Sequence, residues 1–370
     1  MKRHSIRTAL AIAAIVAAPA LATIATAPAA GALTTITVTT TNDGGAGSLR
    51  DAFDQANDAA PDSVNIVLAT GALYVLDDCE FGALEHDEAN TLTVTGNGST
   101  IEQTCEGERV ITNIFGGAGP LTLNGVTITG GNVSTITGGG GVGATNTGLT
   151  LLNTTITGNS AGTGGAVFVT GQGSLTAINS TIVGNSATSE TGTGGLEAQG
   201  AITLAYATIT GNTSGGTEEP GNLRTGATLT SFASVIAQPL GTLTTNCIVQ
   251  TTGISQGYNW SDDITCKLAT ATDVQTGTNP GLGALGAAVR ASGGSAPVRI
   301  PTAGSPLIDA IPNAACQTGT AAGVTVDERG ASRPSPTGGA CDIGAVEVQA
   351  VPPVGPTPAP DVVIAPRFTG

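Results

Sequence analysis

Between Leu121 and Ile236 one alternation of apolar and polar positions recurs five times: LTLNGVTI, LTLLNTTI, LTAINSTI, ITLAYATI and LTSFASVI. Aligned on the last residue, the copies put Ile128, Ile156, Ile182, Ile209 and Ile236 in one column, at intervals of 26 to 28 residues. Seven positions earlier stand Leu121, Leu149, Leu175, Ile202 and Leu229; five positions earlier stand Leu123, Leu151, Ala177, Leu204 and Ser231. Apolar residues two apart, closed by a Gly-Asn turn, are the pattern of short strands. At this repeat length they predict a solenoid with one coil per repeat and the three columns inside.

Helical solenoids need long amphipathic stretches rich in Ala, Leu, Glu and Lys. The repeats contain none, and a chain with 55 Gly, abundant Thr and lysine only at positions 2 and 267 favours strands and tight turns. Three copies carry Asn159, Asn185 and Asn212 three residues after the column Ile, behind Gly158, Gly184 and Gly211. Asn tolerates the left-handed backbone of a sharp corner, and amides stacked about 4.8 Å apart can bond along the column, so the three are read as a structural ladder. Glycine-rich strings beginning at Gly138, Gly162 and Gly192 supply a second corner. The predicted fold is all-β, a parallel β-helix of about eight to ten coils and about 40–50 Å in length, with a short N-terminal capping helix.

An open solenoid exposes strand edges at its ends and needs caps. Ser48 with Asp51 resembles a capping box, and Leu49, Ala52, Phe53 and Ala56 share one face, which predicts a helix over Ser48 to Asn57 lying on the first coil. Arg50 within it is expected to be solvated or to pack in the cap. The acidic run Asp77, Asp78, Glu80, Glu85, Asp87 and Glu88 reads as a solvated loop tethered through Cys79; its spacing fits no Ca²⁺ repeat.

The basic start MKRHSIR, the apolar run Ala9 to Ala18 and the small residues up to Ala32 read as a secretory signal peptide. Its removal takes away Lys2, Arg3 and Arg7 and makes a formal charge of −15 more negative by three, a balance that excludes nucleic acid and anionic lipid as partners. The domain reading is signal peptide 1–32, β-helix with N-terminal cap 33–285, C-terminal coils and cap 286–348, and Pro-rich tail 349–370, with no transmembrane span and a monomeric state. Six cysteines allow fifteen pairings, but neighbouring coils bring residues about one repeat apart together. That predicts Cys79 with Cys105, Cys247 with Cys266 and Cys316 with Cys341, in keeping with an oxidising compartment. No C-x-x-C motif occurs and His86 is the one histidine after position 32, so no zinc site or other cofactor is expected.

Two regions carry a resemblance. TVTTTNDGGAGSLRDAFDQAN is similar to the CSLREA motif that opens many exported bacterial β-helix proteins, with Gly47 in place of its Cys. GYNWSDDITC, NPGLGAL, SPLIDA, DERGASRP and CDIGAVE, in that order from Gly257 to Glu347, resemble the C-terminal region of right-handed parallel β-helix proteins of the choice-of-anchor type, with Glu328 in place of Gln and Val346 in place of Phe. The central GNSA and GGA phrases look like polymorphic-outer-membrane-protein repeats. The resemblance implies a right-handed, pectin-lyase-like β-helix, secreted or displayed at the cell surface, with a structural or adhesive role and a surface glycan or protein as partner. It assigns no catalytic residues, and Asp327, Arg329, Asp342 and Glu347 on its motifs are expected to form charge-paired turns closing the C-terminal cap.

The fold also hosts polysaccharide lyases and glycosidases, so the alternative is a carbohydrate-active enzyme or a non-catalytic glycan binder. Its candidate carboxylates are Glu197, with no acidic mate one repeat away, the adjacent Glu218 and Glu219, and the neighbours Asp262 and Asp263, which on a strand would face opposite ways. Glycan stacking favours exposed aromatics, and the chain has one Trp, three Tyr and six Phe.

Overall fold

The computed structural model describes residues 33–113, 117–133, 138–242 and 245–350; the signal-peptide segment and the tail beyond 350 lie outside the described residues. Parallel strands stack as a β-solenoid of about eight turns, the lower end of the expected range. Three sheets run along it. The first includes Val64–Val67, Leu149–Leu152, Leu175–Ile178, Ile202–Ala205 and Leu229–Phe232; the second includes Thr155–Thr157, Thr181–Val183, Thr208–Thr210 and Val235–Ala237. The long strands Leu92–Gln103 and Leu121–Thr129 pass through both. The third holds Val142–Thr145, Val167–Thr170, Leu196–Ala198, Leu223–Thr225 and Cys247–Val249.

The three apolar columns are in register and buried. Leu121, Leu149, Leu175, Ile202 and Leu229 pair coil to coil, as do Ile128, Ile156, Ile182, Ile209 and Ile236. Because side chains alternate across a strand, the residues between them face outward and form a row of threonines: Thr93, Thr122, Thr150, Thr176, Thr203 and Thr230. The corner assigned to the asparagines differs in detail. Gly158, Gly184 and Gly211 hold the left-handed backbone, at φ 67°, 67° and 64°, and the asparagines after them contribute side chains alone. A residue without Cβ takes the strained angle at no steric cost, which frees the Asn for bonding.

The glycine-rich corner is tight for a second reason. A Cβ on Gly165 would lie 2.3 Å from Ser186 O and 2.4 Å from Gly194 O, whereas one on Gly148 would meet nothing nearer than Ser174 Oγ at 3.8 Å. Gly165→Ala must therefore push neighbouring coils apart. We expect a loss of about 1–3 kcal/mol in chemical denaturation, against a change within about 0.5 kcal/mol for Gly148→Ala. Equal effects of the two substitutions would remove close coil approach as the reason for glycine.

The N-terminal helix spans Leu49–Asp58 behind the Ser48 cap, whose side chain accepts the Asp51 N–H; Asp51 Oδ2 reaches back to Gly47 N rather than to the cap's own N–H. Leu49, Ala52, Phe53 and Ala56 are buried as expected. Arg50 packs in the cap: it pairs with Asp43 at 2.7 Å, donates to Ala83 O and stacks on Phe81. All three sequence-local disulfides are present, with Cα separations of 5.4, 4.8 and 5.9 Å in chain order. No helix among the described residues is long and apolar enough to cross a membrane.

Residues 286–348 depart from expectation. They add no coil. Leu282–Val289 and Ser295–Pro301 form an antiparallel hairpin that pairs with no coil strand, and the chain then lies along the flank of the solenoid as a flap. Tyr206 Oη donates to Cys316 O, Asn179 Nδ2 to Val326 O, and Gly344 N to Ala233 O. The physical reason is legible at the last position of each first-sheet strand: Leu152, Ile178, Ala205 and Phe232 face outward yet are apolar, and they need a cover. The later coils and the flap share a second core, in which Phe232, Tyr206 and Trp260 pack with Leu307, Ile311 and Ile343. Phe232 meets Tyr206 edge to face at 5.6 Å.

Candidate functional site

Of the carboxylates and amides with potential for chemistry, those on the last coil terminate a hydrogen-bond column. Asn159 Nδ2 donates to Asn185 Oδ1 at 3.0 Å, Asn185 to Asn212 at 3.0 Å, Asn212 to Asn222 at 3.0 Å and Asn222 to Asn246 at 2.8 Å. Asn246 then donates to Asp262 Oδ1, where the column stops. Each amide also holds backbone: Asn185 accepts the Asn159 N–H at 3.1 Å and donates to Ile156 O at 3.0 Å. The repeat identified Asn159, Asn185 and Asn212; Asn222 and Asn246 escaped because they precede third-sheet strands and break the spacing.

A carboxylate suits the end of this column, because it accepts from every donor offered and presents none in return. Asp262 Oδ2 accepts the Gln238 N–H, Asp263 accepts the N–H groups of Asn246 and Thr265, and Asp273 accepts those of Asn259 and Thr270. These amides stand where a following coil would have continued the ladder. Asp262 and Asp263, the adjacent pair raised for catalysis, are thus committed to backbone donors.

Glu197 does acquire an acidic mate, from a turn and not from the next repeat. Its strand register places Arg224 beside it, and Arg224 Nη1 lies 3.7 Å from Glu197 Oε1 and 3.2 Å from Glu219 Oε1. Thr163 donates to the other Glu197 oxygen. Burial pushes the Glu219 carboxyl above its ordinary range and the charge of Glu197 adds to that, against the opposing pull of Arg224. Two carboxyls meeting at one nitrogen fall within the roughly 5–9.5 Å separations that glycosidases use. Glu218 is outside the ion pairs with Arg224.

At the N-terminal cap a cavity of about 340 Å³ is bordered by Phe53, Phe81, Arg50, Asp54 and Glu85. Burial raises both Asp54 and Glu85, with neighbouring carboxylates adding to the shift, so the rim carries closely spaced negative charge. In the acidic loop, Asp77 and Asp78 both donate their N–H groups to Asp43, the partner of Arg50. Among the described residues, no group of three or more His, Cys, Asp and Glu side chains converges as metal ligands do.

The motif charges Asp327, Arg329, Asp342 and Glu347 form paired turns within the flap, on the flank of the solenoid. Arg329 bonds Asp327 Oδ2 through Nε at 2.9 Å and Nη2 at 2.6 Å, and Asp342 accepts the N–H groups of Asp309 and Val348. Arg333, at the end of DERGASRP, faces Glu347 at 3.3 Å and covers the Tyr206 ring at 3.9 Å. Burial lifts Glu347 to about 7 in spite of Arg333. Glu328 is deeper still: fully enclosed, it accepts from Thr155 and Thr181 on adjacent coils, and burial lifts its carboxyl to about 8. No family model, no curated protein and no solved structure matches the chain.

Proposed function

We propose that this chain is a secreted or cell-envelope β-helix with a structural or adhesive role at the cell surface, of the choice-of-anchor, CSLREA-motif kind that its sequence motifs resemble. The observation that supports this reading most is the use made of its carboxylates. Asp262, Asp263 and Asp273 stop the coil, and Asp327, Asp342 and Glu347 hold the flap by accepting backbone N–H groups. Groups saturated in this way hold shape. Three disulfides suit an oxidising, extracellular setting and stiffen a solenoid exposed to it. Partners would be surface glycans or proteins met along the exposed coils, with the protein acting as a monomer.

A second reading, a carbohydrate-active enzyme, draws its support from the meeting of Glu197 and Glu219 at Arg224. One experiment separates the two. Full-length protein with its disulfides intact is screened on a glycan array with and without Ca²⁺, and the eluted glycans are weighed by mass spectrometry. Binding of intact glycans supports the surface role; cleaved glycans whose release is abolished by Glu197→Gln or Glu219→Gln would replace it with the enzymatic one.

A further inference from the structure

Between the flap and the first coils lies a cavity of about 260 Å³, bordered by Asn97, Asn124 and Asn153 on the solenoid side and by Arg290, Ser292 and Arg329 on the flap side. Arg290, in the hairpin turn, is only 6% exposed. Its Nη1 donates to Glu328 O and its Nη2 to Asn153 O, each at 2.6 Å, which fixes the plane of the guanidinium. The third donor, Nε, is buried without an acceptor. Among the described residues no carboxylate lies within ion-pair distance of Arg290; Arg329, by contrast, is engaged with Asp327 and Glu347 O. A buried guanidinium bonded to carbonyls alone carries a charge without a counter-ion, and an oxyanion entering the cavity would relieve it.

The rest of the lining defines what carries that oxyanion. The walls are amides and a hydroxyl, with no aromatic ring among the lining residues. Asn124 Oδ1 accepts from Asn153, which leaves the Asn124 NH₂ group as a donor, and Ser292 is exposed at the mouth. Such walls match a hydroxyl-rich body. The volume falls just under the roughly 300–1,000 Å³ of sites for drug-sized molecules, the scale of one sugar ring. We propose that this seam binds the carboxylate of a sugar acid, with Arg290 Nε as the anion donor and Asn124 and Ser292 taking ring hydroxyls. The site stands on these residues alone and does not depend on the surface role proposed above.

Isothermal titration of the full-length, disulfide-intact protein with D-glucuronate, D-glucose and acetate tests it. Glucuronate should bind at least about tenfold tighter than either glucose or acetate, the discrimination expected of one charge-assisted bond combined with a hydroxyl-matched pocket. Arg290→Lys keeps the charge but loses the Nε donor, and Ser292→Phe fills the mouth from an exposed position without touching the core; each should weaken glucuronate at least about tenfold. Emission from the single Trp260, buried in the core shared with the flap, verifies that both variants keep the flap docked. Glucuronate binding no tighter than glucose or acetate overturns the proposal, as does undiminished binding by Ser292→Phe.

Discussion

Asn185→Ala should destabilise the protein by about 3–5 kcal/mol, more than any single surface change, and should lower its denaturation midpoint accordingly. The side chain makes four kinds of bond at once. It accepts from the backbone and side chain of Asn159, and it donates to Ile156 O and to Asn212 Oδ1. All partners are buried, so alanine leaves at least one N–H and one C=O without company, each at a cost of about 1–3 kcal/mol. Aspartate at the same position is the sharper test. It restores the acceptor but not the donor and brings a charge into the column, so Asn185→Asp should be at least as damaging as alanine. If alanine costs under about 1 kcal/mol by urea denaturation, the column is not a main tie between coils.

Docking of the flap should weaken as pH rises from 5 to 9, which is the reverse of an ordinary carboxylate ion pair. Glu328 and Glu347 both bind their protons more tightly in the folded chain than at the unfolded value near 4.5, at about 8 and about 7. Their stabilising contribution is therefore complete below pH 4.5 and is lost as pH climbs through the two folded values. For Glu328 the loss is on the order of 4 kcal/mol. The charged groups around it are Arg290, which favours ionisation, and Asp327, which opposes it; neither offsets enclosure. Hydrogen-bond geometry agrees with a protonated acid. The Thr155 hydroxyl sits 2.7 Å from Glu328 Oε1 and 2.9 Å from Pro297 O, two acceptors for one proton, and a protonated Glu328 donates to Thr155 and frees it to donate to Pro297. Trp260 emission followed during denaturation at several pH values reads the flap directly. Glu328→Gln, which places the amide of the resembled family in the same space, should flatten the dependence and stabilise the protein above pH 8. A variant with the parent's pH slope would assign that slope elsewhere.

The coil was legible because its constraints repeat. One strand with Leu121, Leu123 and Ile128 inward says little; five in a column leave one arrangement in which every copy is buried. The disulfides were legible for the same reason, since stacking turns sequence distance into spatial neighbourhood. The flap was not, because nothing in 282–348 repeats. Its signal lay on the solenoid, in the drift of one outward position from Thr95 and Asn124 to Leu152, Ile178, Ala205 and Phe232, which is visible only once the register is known. The Glu197, Glu219 and Arg224 group was half visible: register explains Arg224, whereas Glu219 arrives through an irregular turn. Arg290 carried no sequence signal at all, since its meaning comes from the carbonyls that occupy two of its nitrogens.

The placement of two disulfides has a mechanical consequence. Cys79–Cys105 joins neighbouring coils near one end, and Cys247–Cys266 ties the last third-sheet strand to the loop that stops the coil at the other. A stack of parallel strands pulled from its ends fails one rung at a time, like a zipper, because each rung is held only by its neighbours. Here tension entering from either end soon meets a covalent bond and passes across it, bypassing the intervening chain, which spans sequence separations of 26 and 19 residues. Unzipping cannot run continuously inward from the tips, so the terminal coils, the weakest part of an open solenoid, bear load as crosslinked anchors for the uncharged coils between them.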